Sequence, residues 1–152
     1  MKIKWKKMLQ NVSFVILLLK MCFIFGQQKV IVIDLGHGGN DSGAIGVNNI
    51  QEKEVVLNIA KGILKLNKTI FDDRFDIYLT RYKDTLISLS DRTKLAKALN
   101  ADMFISLHCN NAENSNAKGI EVYVHDSDSR FTKDAIELGL AVSNESTKKL
   151  GF

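Results

Sequence analysis

Val30-Ile31-Val32-Ile33-Asp34-Leu35-Gly36-His37-Gly38-Gly39 opens with four β-branched residues in a row and closes on a histidine set among glycines. The apolar run reads as a strand buried on both faces, so the histidine sits where that strand ends. In open α/β sheets the carboxyl rim of the strands is where ligands bind, and glycines let backbone or ligand approach an imidazole closely. A glycine turn carrying an incidental histidine is the plain alternative, and this stretch alone leaves both open.

The chain has 152 residues, a length that suggests one domain; 45% hydrophobic and 25% charged residues place it among globular proteins. Its formal charge of +4 owes much to Lys2, Lys4, Lys6 and Lys7, so the basic balance does not point to nucleic acid. Residues 12–25 are apolar except for Ser13 and Lys20, and Gly26-Gln27-Gln28 follows. A charged start, a short apolar core and a small residue before polar ones describe a secretory signal peptide over residues 1–26, with an uncleaved N-terminal anchor as the alternative. Export to the periplasm or cell envelope, or secretion, is the expectation, and any membrane contact runs through that segment. Lys20-Met21 before Cys22 is a poor context for a lipid anchor. The mature part then keeps Cys109 alone, which excludes a disulfide framework.

Proline is absent and no repeat stands out, so glycine, asparagine and aspartate must break the elements. Residues 40–49 form a polar, glycine-bearing loop over the rim. A helix is expected from Glu52 to about Asn67, with Val56, Ile59, Ile63 and Leu66 inward beside Ala60. Residues 75–80 read as a second strand. Ser88-Leu89-Ser90-Asp91 resembles a capping box for a helix ending near Asn100, with Leu89, Ala96 and Leu99 inward. Residues 103–107 make a third strand that ends at His108, and residues 119–124 alternate as a fourth. A last helix starts near Ser129, marked by Phe131, Ala135, Leu138 and Val142. Strands alternating with helices imply an α/β fold: a mainly parallel twisted sheet flanked by helices.

Parallel strands put their carboxyl ends on one side, so His37 and His108 share a rim. Glu52, at the start of a helix that begins on that side, can converge on them. Two imidazoles and one carboxylate are the ligand set of a catalytic zinc site, which leaves the fourth position to water. Each member also has an ordinary role: Glu52 suits a helix N-terminus, and His108 could be a satisfied histidine at a strand end. The Cys109 side chain should point away from that of His108, as a small buried apolar residue.

The motifs Ile33-Asp34-Leu35-Gly36-His37-Gly38-Gly39, Asp41-Ser42-Gly43-Ala44, Glu52-Lys53, Leu79-Thr80-Arg81, Phe104-Ile105-Ser106-Leu107-His108-Cys109-Asn110 and Gly119-Ile120-Glu121, with Asp84, Leu89, Arg92 and Ala101-Asp102 between them, stand in order at consistent spacing. Together they resemble the zinc-dependent N-acetylmuramoyl-L-alanine amidases over residues 30–124. The resemblance implies one zinc ion on His37, Glu52 and His108, and peptidoglycan as partner. It further implies hydrolysis of the amide between N-acetylmuramic acid and the L-alanine of the stem peptide. Arg81 and Asn110 are the candidate substrate-binding residues, while Arg92 reads better as a helix-packing ion pair.

Two departures from the family pattern stand out. Leu35 replaces the usual proline, which should only loosen a turn. The family's catalytic glutamate lies on a later strand, beyond Phe152 on this reading, and neither Glu137 nor Glu145 matches its motif. The expectation is therefore an amidase domain over residues 27–152, incomplete at its C-terminus and lacking its last strand, with the metal site present and hydrolysis impaired. A non-catalytic, zinc-bearing peptidoglycan-binding module is the rival. A phosphate-binding α/β protein is a weaker one, since the glycine stretch has neither a Walker lysine nor G-x-G-x-x-G.

Overall fold

β1 (Lys29–Leu35) is the middle strand of a three-stranded parallel sheet in the order β2-β1-β3, with β2 at Phe75–Leu79 and β3 at Met103–Leu107. Between them run α1 (Glu52–Ile70) and α2 (Leu89–Ala98), and α3 (Thr132–Leu150) comes last. This is a computed structural model in which residues 12–15, 28–111, 114, 117–129 and 131–151 are described. The chain divides into two units, Met1–Asn110 and Asn111–Phe152, each with its own architecture. Residues 12–15 are helical and exposed, and the rest of the expected signal segment lies outside the described residues. Among the described residues, no helix is long and apolar enough to cross a membrane.

The β-branched run earns its central place because neighbours on both sides satisfy its backbone while both of its faces are covered. Val32 and Leu35 are fully buried and Ile33 nearly so. Ile33, Leu35 and Leu79 join Val56 and Ala60 of α1 in the core, with Ile31, Ile77, Leu107 and Cys109 packed around them. Cutting Leu35 back to alanine would leave a cavity costing about 2–5 kcal/mol. Leu35 does not loosen a turn, as expected of it. It closes β1, and its N–H, which a proline would lack, donates to Thr80 Oγ1 at 3.0 Å.

α1 begins at Glu52 as expected but presents a different stripe. Val56, Ala60 and Asn67 are buried, whereas Ile59 and Leu66 are about half exposed. At 3.6 residues per turn, Ala60, Ile63 and Asn67 lie within about 40° of Val56, while Ile59 and Leu66 lie about 60° and 80° to one side. The sheet covers the narrower arc. Asn67 faces inward because its amide donates to the Phe75 carbonyl at 2.8 Å and accepts the Phe75 N–H, tying the end of α1 to the start of β2.

The capping box forms: Ser88 Oγ accepts the Asp91 N–H and donates to the Asp91 carboxylate at 2.7 Å. Of the expected inward face of α2, Ala96 and Leu99 are half-buried, but Leu89 is 81% exposed and the buried residue of that face is Arg92. Residues 119–124 do not form the expected fourth strand. Alternation sets the two faces of a segment, but a strand also needs a ladder partner. In this second unit Val122 and Val124 pack on Gly139 of α3, where an added Cβ would meet their methyls at 3.1 and 3.3 Å. Phe131, Ala135 and Val142, expected inward, are exposed; Leu138 is half-buried and Gly139 buried.

Candidate metal centre

The register of β1 against β3 pairs Leu35 with Leu107, and the ladder runs on through Gly36 N–H to Leu107 O at 3.0 Å. Both strands therefore leave the sheet at one level. His37 and His108 emerge together, their ring centroids 5.1 Å apart and nearly perpendicular. Gly36 makes room for this approach, since a Cβ there would lie 2.4 Å from His108 Cε1. His37 itself takes φ 60°, a left-handed backbone that few non-glycine residues adopt. The turn is held by reciprocal hydrogen bonds between Gly38 and Asp41.

Glu52 comes up from the first turn of α1 and is 4% exposed. Its Oε1 faces His108 Nδ1 at 3.0 Å and accepts the Cys109 N–H at 2.8 Å. Its Oε2 lies 3.2 Å from His37 Nε2 and accepts the Ala44 N–H at 2.9 Å. Burial pushes the carboxyl pKa up, but the two amide donors and the two imidazoles outweigh it, and the net shift is downward. Gly43 leaves space for this meeting; a Cβ there would be 2.5 Å from His37 Cδ2 and 2.6 Å from Glu52 Oε2.

The donor set fits a zinc ion. One ligand atom from each of His37, Glu52 and His108 falls within 4.8 Å of the others. Tetrahedral zinc with bonds of about 2.0–2.1 Å sets its ligand atoms roughly 3.4 Å apart, inside the 4.8 Å that encloses one donor atom from each of the three residues. His37 Nδ1 is engaged by Asp41 Oδ2 at 2.9 Å, which turns Nε2 toward the Glu52 carboxylate as a second-sphere carboxylate does for a metal-binding histidine. The His37 ring beside Asp41, with the Gly43 N–H, holds the Asp41 carboxyl below its usual value. The His108 side chain is 54% exposed while that of Glu52 is buried, so the cluster is closed beneath and open to solvent on one side.

The other sequence candidates fall elsewhere. Arg81 is 3% exposed, and its guanidinium is spent on backbone carbonyls rather than on the open side. Asn110 is exposed, two residues past His108. Cys109 packs against the core, and burial together with the Glu52 charge pushes its thiol up, so it stays protonated. Arg92 makes the packing ion pair expected of it, with Asp34 at 2.9 Å, and also donates to the carbonyls of Leu35 and His37. Sequence reasoning gave no role to Asp41. Its position four residues after His37, in a glycine turn, was the available signal.

A sequence profile of N-acetylmuramoyl-L-alanine amidase matches residues 31–152. The chain belongs to that family. It is 43% identical over 98 residues to the amidase AmiA of Escherichia coli, covering 64% of this chain and 33% of AmiA. An endolysin of Bacillus phage SPP1 is 41% identical over 97 residues, 62% of this chain and 33% of the endolysin. The chain thus spans about a third of the length of these relatives. Among solved structures, the amidase AmiC2 of Nostoc punctiforme superposes with a TM-score of 0.68 at 33% identity, over 81% of this chain and 63% of that one. The CwlD amidase of Clostridioides difficile, solved with the GerS lipoprotein, gives 0.61 at 30% identity, over 80% of this chain and 66% of CwlD.

Proposed function

We propose that this chain binds one zinc ion through His37, Glu52 and His108 and acts on peptidoglycan, hydrolysing the amide between N-acetylmuramic acid and L-alanine. The observation that carries the reading is the cluster itself: three ligands converge, closed beneath by buried Glu52 and open beside His108. Structural zinc sites have four protein ligands, whereas catalytic ones keep a position free. When bound, zinc polarises a carbonyl and lowers the pKa of water from about 15.7 toward about 7.

The chain's own residues supply the rest. Asp41 holds His37 in orientation, and the amides of Ala44 and Cys109 fix the Glu52 carboxylate. Glu52 is committed through both oxygens, so the proton released by the attacking water goes to another group. Losing such a base typically costs about 10²–10⁴-fold. Export, supported by the lysines and the apolar run of residues 12–25, would bring the protein to its substrate.

The test is release of stem peptides from cell-wall sacculi by the zinc-loaded chain, lost on chelation and restored by zinc. Turnover would then be followed through Glu121→Gln, Glu137→Gln and Glu145→Gln to find the base. Folded, zinc-loaded protein that pellets with sacculi but releases no peptide would favour the wall-binding module. N-terminal sequencing of the exported product should begin near Gln27, and Met1 on a membrane-bound product would favour an anchor.

A further inference from the structure

We propose that Arg81 is a positioning residue of the metal centre, setting the spacing between His37 and Glu52 through one guanidinium nitrogen; the inference rests on the zinc reading above. Arg81 Nη2 donates to the Gly36 carbonyl at 3.0 Å and to the Lys53 carbonyl at 2.8 Å. Gly36 immediately precedes His37, and Lys53 immediately follows Glu52. A guanidinium nitrogen carries two hydrogens, one for each carbonyl, so a single atom ties together the two segments that bear these ligands.

The anchoring end of the side chain is fixed as well. Thr80, the residue before Arg81, accepts the Leu35 N–H and donates to Asp34 Oδ1 at 3.0 Å, which holds the end of β2 against β1. Gly38 is required by the Thr85 carbonyl, 2.3 Å from where a Cβ would stand, and that Cβ would also come within 3.2 Å of Arg81 Nε. Arg81 forms no salt bridge among the described residues, unlike Arg92, whose partner is buried Asp34. With 3% exposure it has no face to offer a substrate carboxylate. Its Nη2 hydrogen bonds instead run to the neighbours of two ligands, while Nη1 donates to the Lys83 carbonyl at 3.4 Å.

The experiment compares the full chain with Arg81→Lys and Arg81→Gln. Lysine ends about one bond short of the Nη2 position and glutamine shorter still, so neither can bridge both carbonyls. Zinc affinity is measured by competition with a chromophoric chelator, ligand geometry by the visible absorption of cobalt-loaded protein, and fold by circular dichroism and urea midpoint of the metal-free chain. The expected result is a folded variant whose zinc affinity is about 10–100-fold weaker and whose cobalt band is altered. Folded variants with unchanged affinity and cobalt band overturn the proposal, even if the urea midpoint falls. Loss of fold in both variants also overturns it, by making Arg81 a residue of the scaffold alone. A parent chain that takes up no zinc removes the metal reading and this inference together, whereas zinc-binding parent and variants of equal affinity remove only the inference.

Discussion

Glu52 and His108 stand 56 positions apart in the chain, yet Oε1 of one lies 3.0 Å from Nδ1 of the other. One residue opens α1 and the other follows β3, and a parallel sheet brings both to one rim. The contact follows from topology, and small residues beneath the rings keep it open.

Those small residues give the first prediction. An alanine Cβ at Gly36 would overlap the His108 ring, which is half exposed and can swing outward, but only by leaving Glu52. Gly36→Ala should therefore fold and bind zinc poorly. Gly43→Ala should be worse, because φ 65° costs a side chain about 1–2 kcal/mol and overlap with His37 and Glu52 adds about 1–3 kcal/mol. Urea melts with zinc titrations of both variants check this. A Gly36→Ala protein with native zinc affinity would contradict it.

Much of this rim was legible in the sequence because parallel strands and helix starts have few placements. The β-branched run, the two strand-end histidines and the helix beginning at Glu52 all formed as read. What failed depended on tertiary choice. Ile59 and Leu66 have helical spacing, but the sheet took the neighbouring arc; residues 119–124 alternate, but alternation supplies no ladder partner. The role of Asp34 was hidden because its partners, Thr80, Arg92 and Ser106, come from three distant segments.

That hub makes the second prediction. Asp34 and Arg92 are each 5% exposed and pair at 2.9 Å. Replacing either one by alanine strands a buried charge and should cost about 3–5 kcal/mol. Replacing both, Asp34→Leu with Arg92→Met, should cost less than the two single losses summed. Urea unfolding of the metal-free chain measures all three, and additive losses would sink the argument.

Acid should weaken the first unit through its exposed clasps. Asp84 accepts from Lys53 at 2.8 Å and from the Gly39 N–H, and Asp102 accepts from Lys29 at 2.6 Å and from the Val30 N–H. These partners, the lysines first, hold both carboxyls below the usual carboxylate range. A carboxyl depressed in the folded state stabilises fully above its unfolded pKa and loses that contribution as pH falls through the folded one. The urea midpoint of metal-free protein should therefore fall below about pH 4, and Asp84→Asn with Asp102→Asn should flatten that fall. A double variant with an undiminished acid slope would refute the assignment.

The central claim, that His37, Glu52 and His108 hold one zinc ion, is tested most directly by metal analysis of the purified chain and its variants. The account predicts about one zinc per chain, lost in His37→Ala and in His108→Ala, with Glu52→Gln weakened because its amide oxygen carries no charge. Unchanged zinc stoichiometry in both histidine variants would contradict it.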